Sequence, residues 1–206
     1  MTVQVKKVNK LLQPRIMAVV GGMGTGKTLF ISAIAEKLKN TYLIMANYKL
    51  QCREKNITPE NISELLTEAG EETSTKKKLM VIDEFHIFSD SRLSSSHHNI
   101  LMSYFVTQTR KQDIQLIYTT QQFGQVDIRI RDNTDILAMP AYNPLKDEMK
   151  VIFLKKDWLT SQFIFSHYKI FKNLKPVFDV FSTEQILGEK MIERIKEKEK
   201  QKMKKS

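Results

Sequence analysis

The stretch "VVGGMGTGKTLF", residues 19 to 30, sets four glycines, a lysine and a threonine between two apolar runs. A glycine, four residues and then Gly-Lys-Thr is the P-loop spacing, with Gly21, Gly26, Lys27 and Thr28 in its defining places. Each residue type there has a physical task. Glycines admit positive φ and omit the Cβ atoms that would hold phosphate oxygens away from backbone N–H groups. Gly21, Gly22, Met23, Gly24, Thr25, Gly26, Lys27, Thr28 and Leu29 together form the expected phosphate cradle. Lys27 would place a point charge on the β- and γ-phosphates, and Thr28 a hydroxyl on Mg²⁺.

The surroundings fit the motif. Ile16–Val20 is an apolar run of buried-strand length, and helical patterning continues from Ala33 to Lys39. Phosphates in the loop would therefore face a helix N-terminus, where open N–H groups and the dipole favour anions. A glycine-rich turn with no ligand is the competing reading, and the strand–loop–helix context argues against it.

Further apolar runs at Tyr42–Ala46, Leu79–Ile82, Leu116–Tyr118 and Ile136–Met139 alternate with helical or loop segments. That is the rhythm of an α/β chain, a parallel sheet with crossover helices. Helices are predicted over Asn61–Ala69, after the start signal Thr58-Pro59-Glu60, and over Asn99–Lys111. Met149–Lys155 and Gln162–Ile170 alternate across a short polar connection, which predicts an added β-hairpin at the sheet edge. From Thr183 onward, Ile186, Leu187, Met191, Ile192 and Ile195 lie along one helical stripe. One domain is expected over residues 1–206, with its core over about 16–182 and a basic C-terminal helix or tail over 183–206.

"KKLMVIDEFHIF" carries the second set of candidate residues. Its apolar run ends in Asp83-Glu84, at the carboxyl end of a buried strand, where ligands sit in open α/β sheets. Asp83 would complete the Mg²⁺ shell with Thr28 as a Walker B acid. Glu84, one residue on, is expected on the other face of the strand, directed at an attacking water as general base. An acidic pair that merely ends a strand is the alternative. "QLIYTTQQ" ends in the same way, and its Gln121 is a candidate phosphate sensor or water-orienting amide. Arg110, Arg129 and Arg131 are candidates for an arginine that reaches a neighbouring subunit's nucleotide; for any one of them a local salt bridge is the plainer role.

The formal charge of +10 suggests nucleic acid until it is located. Residues 1–15 carry +4 and residues 189–206 another +4, so the 173 residues between are nearly balanced. Basic ends of this kind touch nucleic acid or an acidic partner, or are simply solvated. No apolar run approaches the ~20 residues of a membrane span, and the N-terminus lacks a signal-peptide core, so an intracellular protein is expected. Cys52 is the single cysteine, which excludes an intrachain disulfide or a multi-cysteine zinc site.

"GGMGTGKT", the strand ending "VIDEF", an arginine before the next strand in "TRKQDIQLIYTTQ", and Gln121 together resemble the FtsK–HerA superfamily of P-loop ATPases. "DIRIRDNTD" is similar to the segment that follows the sensor strand in that superfamily, and the likeness covers roughly residues 16–140. Within it, the chain is most similar to the genome-packaging NTPases of membrane-containing viruses, above all the turreted icosahedral viruses of hot-spring archaea. The resemblance implies a RecA-like P-loop NTPase fold and Mg²⁺-dependent hydrolysis of ATP. It also implies a homo-oligomeric ring of five or six subunits that moves double-stranded DNA into a preformed capsid. Capsid or portal-vertex proteins would be partners, and the location the host cytoplasm or the virion vertex. No separate DNA-binding module is visible, so DNA contact falls to loops or the basic ends.

Two other readings use part of the same pattern. "IDEFHIF" and a methionine-containing P-loop also resemble thymidine kinases, but one cysteine leaves no room for their structural zinc. A non-catalytic nucleotide switch is disfavoured by Glu84. His86, His97 and His98 invite a metal reading, but the His97-His98 pair in "SRLSSSHHN" lacks a carboxylate or cysteine at ligand spacing. The segment Ser89–His98 reads either as a plain exposed linker or as a loop in which Arg92 and the two histidines would meet DNA phosphates.

Overall fold

The computed structural model describes residues 15–58, 61–71, 76–85, 106–107, 109 and 111–182. The predicted C-terminal helix, most of the helix expected over 99–111, the Ser89–His98 loop, His86 and Arg110 lie outside the described residues.

Strand β1 (Ile16–Val20) is followed by the phosphate loop, helix α1 (Lys27–Leu38) and β2 (Tyr42–Ala46). Two short strands come next, β3 (Lys49–Leu50) and β4 (Lys55–Asn56), then α2 (Ile62–Glu71) and β5 (Lys77–Ile82). The chain continues through β6 (Ile114–Thr120), the short α3 (Ile128–Asp132), β7 (Ile136–Asn143), β8 (Glu148–Lys156) and β9 (Phe163–Lys172). A 3₁₀ turn, Lys175–Val180, leads into β10 (Phe181–Ser182), which pairs with β3.

Eight strands form one sheet in the order β4-β2-β5-β6-β1-β7-β8-β9. The pairs from β4 to β7 are parallel, whereas β7–β8 and β8–β9 are antiparallel. The expected RecA-like α/β architecture is therefore present: a mainly parallel sheet flanked by helices, with the predicted hairpin (β8 and β9) added at one edge.

Alternation within each strand divides the core into two layers. Met17 and Val19 of β1, Ile44 of β2 and Leu79 and Val81 of β5 pack with α1 on one face. Ile16, Ala18, Leu43, Met80 and Ile82 pack with Leu65 and Leu66 of α2 on the other. Strands covered on both faces read as unbroken apolar runs, which is why they stand out in the sequence. Nine of the twelve residues of α1 are buried, so this helix lies within the protein rather than on its surface.

Candidate active site

The loop between β1 and α1 is shaped by two glycines in the left-handed region, Gly24 at φ 73° and Gly26 at φ 90°. Gly26 is the N-cap of α1 and supplies no side-chain acceptor. The first-turn N–H groups that follow it are thus left for an outside anion. Thr25 Oγ1 donates to Gly22 O at 3.0 Å, and Lys27 Nζ donates to the same carbonyl at 3.0 Å. The Lys27 ammonium is thereby folded across the loop while its side chain is buried. Leu29 is buried in the core, which leaves only its backbone for a ligand, whereas Met23 is 86% exposed.

Gly26 has a second constraint. A Cβ there would stand 2.9 Å from both Tyr142 Cβ and Met149 Cε, on a backbone that L-residues disfavour. Gly26→Ala is expected to cost about 1–3 kcal/mol of stability and to weaken nucleotide binding, checked by thermal melting and by nucleotide titration.

Sheet order brings the acids to this loop. Because β6 lies between β1 and β5, the ends of all three strands meet at Gly21, Thr119 and Asp83. Thr28 Oγ1 donates to Asp83 Oδ2 at 2.9 Å, and Thr119 Oγ1 donates to Asp83 Oδ1 at 2.5 Å. Thr119 Oγ1 also accepts the Glu84 N–H at 2.8 Å. Asn47, at the end of β2, holds the Asp83 backbone from the other side: Nδ2 donates to Asp83 O at 2.8 Å and Oδ1 accepts Asp83 N–H at 2.7 Å. Burial pushes the Asp83 carboxyl above the usual carboxylate range, against the hydrogen bonds from Thr119 and Thr28.

The sequence pattern of the ATPase family associated with various cellular activities (AAA) matches residues 17–139, more than half of the chain. The chain belongs to this family.

Solved structures with TM-scores above 0.5 share this fold. The N-terminal domain of zonular occludens toxin from Neisseria meningitidis superposes with a TM-score of 0.56 at 16% identity, covering 82% of this AAA ATPase and 98% of the toxin domain. The pCW3 conjugation coupling protein TcpA, solved with ATPγS, gives 0.54 at 11% identity, covering 82% of this chain and 65% of its own. The genome packaging NTPase of Sulfolobus turreted icosahedral virus 2 matches at a TM-score of 0.42 and 14% identity, over 78% of this chain and 98% of its own. No curated protein matches the sequence.

The other candidate residues of this AAA ATPase lie at different distances from the loop. Glu84 stands beyond the end of β5 with φ 51°, so its direction follows from a left-handed backbone turn and not from strand alternation. Gln121 is exposed and directly follows Thr120, whose carbonyl accepts the Gly21 N–H at 3.4 Å. Arg129 and Arg131 are on α3, which packs Ile130 into the core layer opposite α1. Three residues after α3, Asp135 N–H donates to Ile16 O, at the end of β1 remote from the phosphate loop. Arg129 also faces Asp127 at 3.6 Å. Both arginines thus lie on the stretch that leads from the loop end of β6 toward the opposite end of β1.

"QLIYTTQQ" marks Thr119 only as one of the polar residues that end its strand, and Asn47, polar at the end of an apolar strand like Asp83, carries the same signal unread. Burial and the nearby Glu36 push the Cys52 thiol up to about 12, which disfavours its thiolate.

The residues present fit a nucleoside triphosphate and Mg²⁺. Thr28 and Asp83 offer adjacent hard oxygen donors, the set that Mg²⁺ takes together with substrate phosphates. Lys27 and the open helix N-terminus supply the complementary grip on the phosphates. Among the described residues no cluster of three or more His, Cys, Asp or Glu forms a separate metal site. No described helix is long and apolar enough to cross a membrane.

Proposed function

We propose that this AAA ATPase is a motor that hydrolyses ATP to move double-stranded viral DNA into a preformed capsid. The observation that carries the hydrolytic part is the Thr28–Asp83 hydrogen bond of 2.9 Å with Glu84 next in the chain, which unites phosphate grip, metal donors and a candidate base. The DNA-packaging part is supported by the sequence likeness of "GGMGTGKT", "VIDEF" and "TRKQDIQLIYTTQ" to the FtsK–HerA motors.

In this reading Lys27 and the loop N–H groups hold the β- and γ-phosphates in line for attack. Thr28 and Asp83 hold Mg²⁺, which when bound neutralises charge on the phosphate oxygens. Thr119 and Asn47 fix the Asp83 backbone and carboxylate, so the donor pair is preorganised. Glu84 accepts the proton of the attacking water. Gln121 orients that water or reads the γ-phosphate, and Arg110, Arg129 or Arg131 serves a neighbouring subunit's site in a ring of five or six. Double-stranded DNA and the capsid or portal vertex are the partners, in the host cytoplasm or at the virion.

The competing reading is a thymidine-kinase-type enzyme, favoured by "IDEFHIF". Phosphate release measured with and without double-stranded DNA, beside thymidine phosphorylation, separates the two. The motor predicts a rate raised by DNA and no phosphorylated thymidine. Thymidine monophosphate with no DNA response overturns it.

A further inference from the structure

Tyr142, near the end of β7, is joined to the phosphate loop. Its N–H donates to Thr25 O at 3.2 Å, and a Cβ on Gly26 would lie 2.9 Å from Tyr142 Cβ. The side chain therefore departs from a point in contact with the residues that open α1. Its far end is tethered as well. Tyr142 Oη donates to Asp147 Oδ1 at 2.9 Å, and the Asp147 carboxylate also accepts the Lys175 N–H at 3.1 and 3.3 Å. This network binds the β7–β8 turn to the 3₁₀ turn Lys175–Val180 and tethers the ring, which is half-buried against the core.

Phe178 lies on that 3₁₀ turn. Its ring centroid is 5.8 Å from that of Tyr142, with the planes at 57°, and Phe181 continues the row at 6.0 Å. Val177, one residue earlier, is buried, whereas Phe178 is 46% exposed. An aromatic side chain thus remains half in water against Tyr142, whose backbone touches the phosphate loop, although the same short turn buries its neighbour.

A triphosphate held by Lys27 and the α1 N-terminus leaves its ribose and base to project from the loop. A base offers a large π face, and a stationary aromatic side chain recognises it by stacking. We propose that Tyr142 and Phe178 form the stacking shelf for the base of the bound nucleotide, with Phe178 as the contacting face and the Tyr142–Asp147–Lys175 network as its support. The proposal rests on residues 21–29 being the triphosphate cradle.

Calorimetric titration of the full chain with ATPγS and with inorganic tripolyphosphate, both with Mg²⁺, tests it. The wild-type protein is expected to bind ATPγS more tightly than tripolyphosphate. Phe178→Ala should weaken ATPγS binding about tenfold and leave tripolyphosphate unchanged. Phe178→Leu, which keeps an apolar side chain without a π face, should behave in the same way, and Phe178→Trp should retain the affinity. Equal wild-type affinity for the two ligands overturns the shelf, as does a loss in Phe178→Leu that affects both ligands alike or neither. A wild-type protein that binds neither ligand removes the cradle itself, a distinct failure.

Discussion

Glu84→Gln should abolish ATP turnover while leaving nucleotide bound. The amide keeps the side chain's size and its hydrogen-bonding capacity but cannot accept a proton from water. Loss of a positioned general base costs about 10²–10⁴ in rate. Lys27, Thr28 and Asp83 are untouched, so ATPγS affinity should stay within a few-fold of wild type. Rapid-quench measurement of phosphate formation, beside a binding titration, reads both quantities. Wild-type hydrolysis in Glu84→Gln removes the residue from the mechanism. Equal loss of binding and turnover makes it a structural support for the strand end. The left-handed backbone at Glu84 favours the functional role, because a non-glycine residue at φ 51° just after a strand is a local cost that a site can use.

The second large effect concerns the arginines. Arg129 and Arg131 sit on α3, on the stretch that leads from the loop end of β6 to the far end of β1, and in the proposed ring either would act on the nucleotide of a neighbouring subunit. Where an arginine stabilises transferring-phosphoryl charge in this way it contributes on the order of 10³–10⁵ in rate. Alanine variants at Arg110, Arg129 and Arg131, each alone, should include one with a loss of that size and intact nucleotide binding. Mixing that variant with Glu84→Gln subunits should restore part of the activity, because some interfaces then pair an intact base with an intact arginine. No rescue at any mixing ratio contradicts catalysis shared between subunits.

Much of the fold could be read in advance because its strands are buried on both faces. Ile16–Val20 and Tyr42–Ala46 have the bounds their apolar runs predict, and β8 and β9 follow from alternation on either side of a polar turn. β3, β4 and β10 have two residues each, too few for any periodicity to show. The candidate site divides along similar lines. Local spacing marks Gly21–Thr28 and Asp83-Glu84. Nothing local marks Thr119 as the partner of Asp83, 36 residues earlier, because that contact exists only once β6 is inserted between β1 and β5. The same holds for Tyr142 against Gly26: strand β7 must lie beside β1 before the two residues meet. Glu84 shows the opposite failure. Strand alternation predicts its direction, yet the strand ends at Ile82 and a positive φ sets the backbone's course there.

Movement along duplex DNA is the central claim, and displacement of a third strand annealed to a linear duplex measures it directly. A DNA-moving ATPase should give displacement that requires ATP, fails with ATPγS and is lost in Glu84→Gln. Robust ATP hydrolysis with no displacement, and no change in rate when duplex is added, would contradict it.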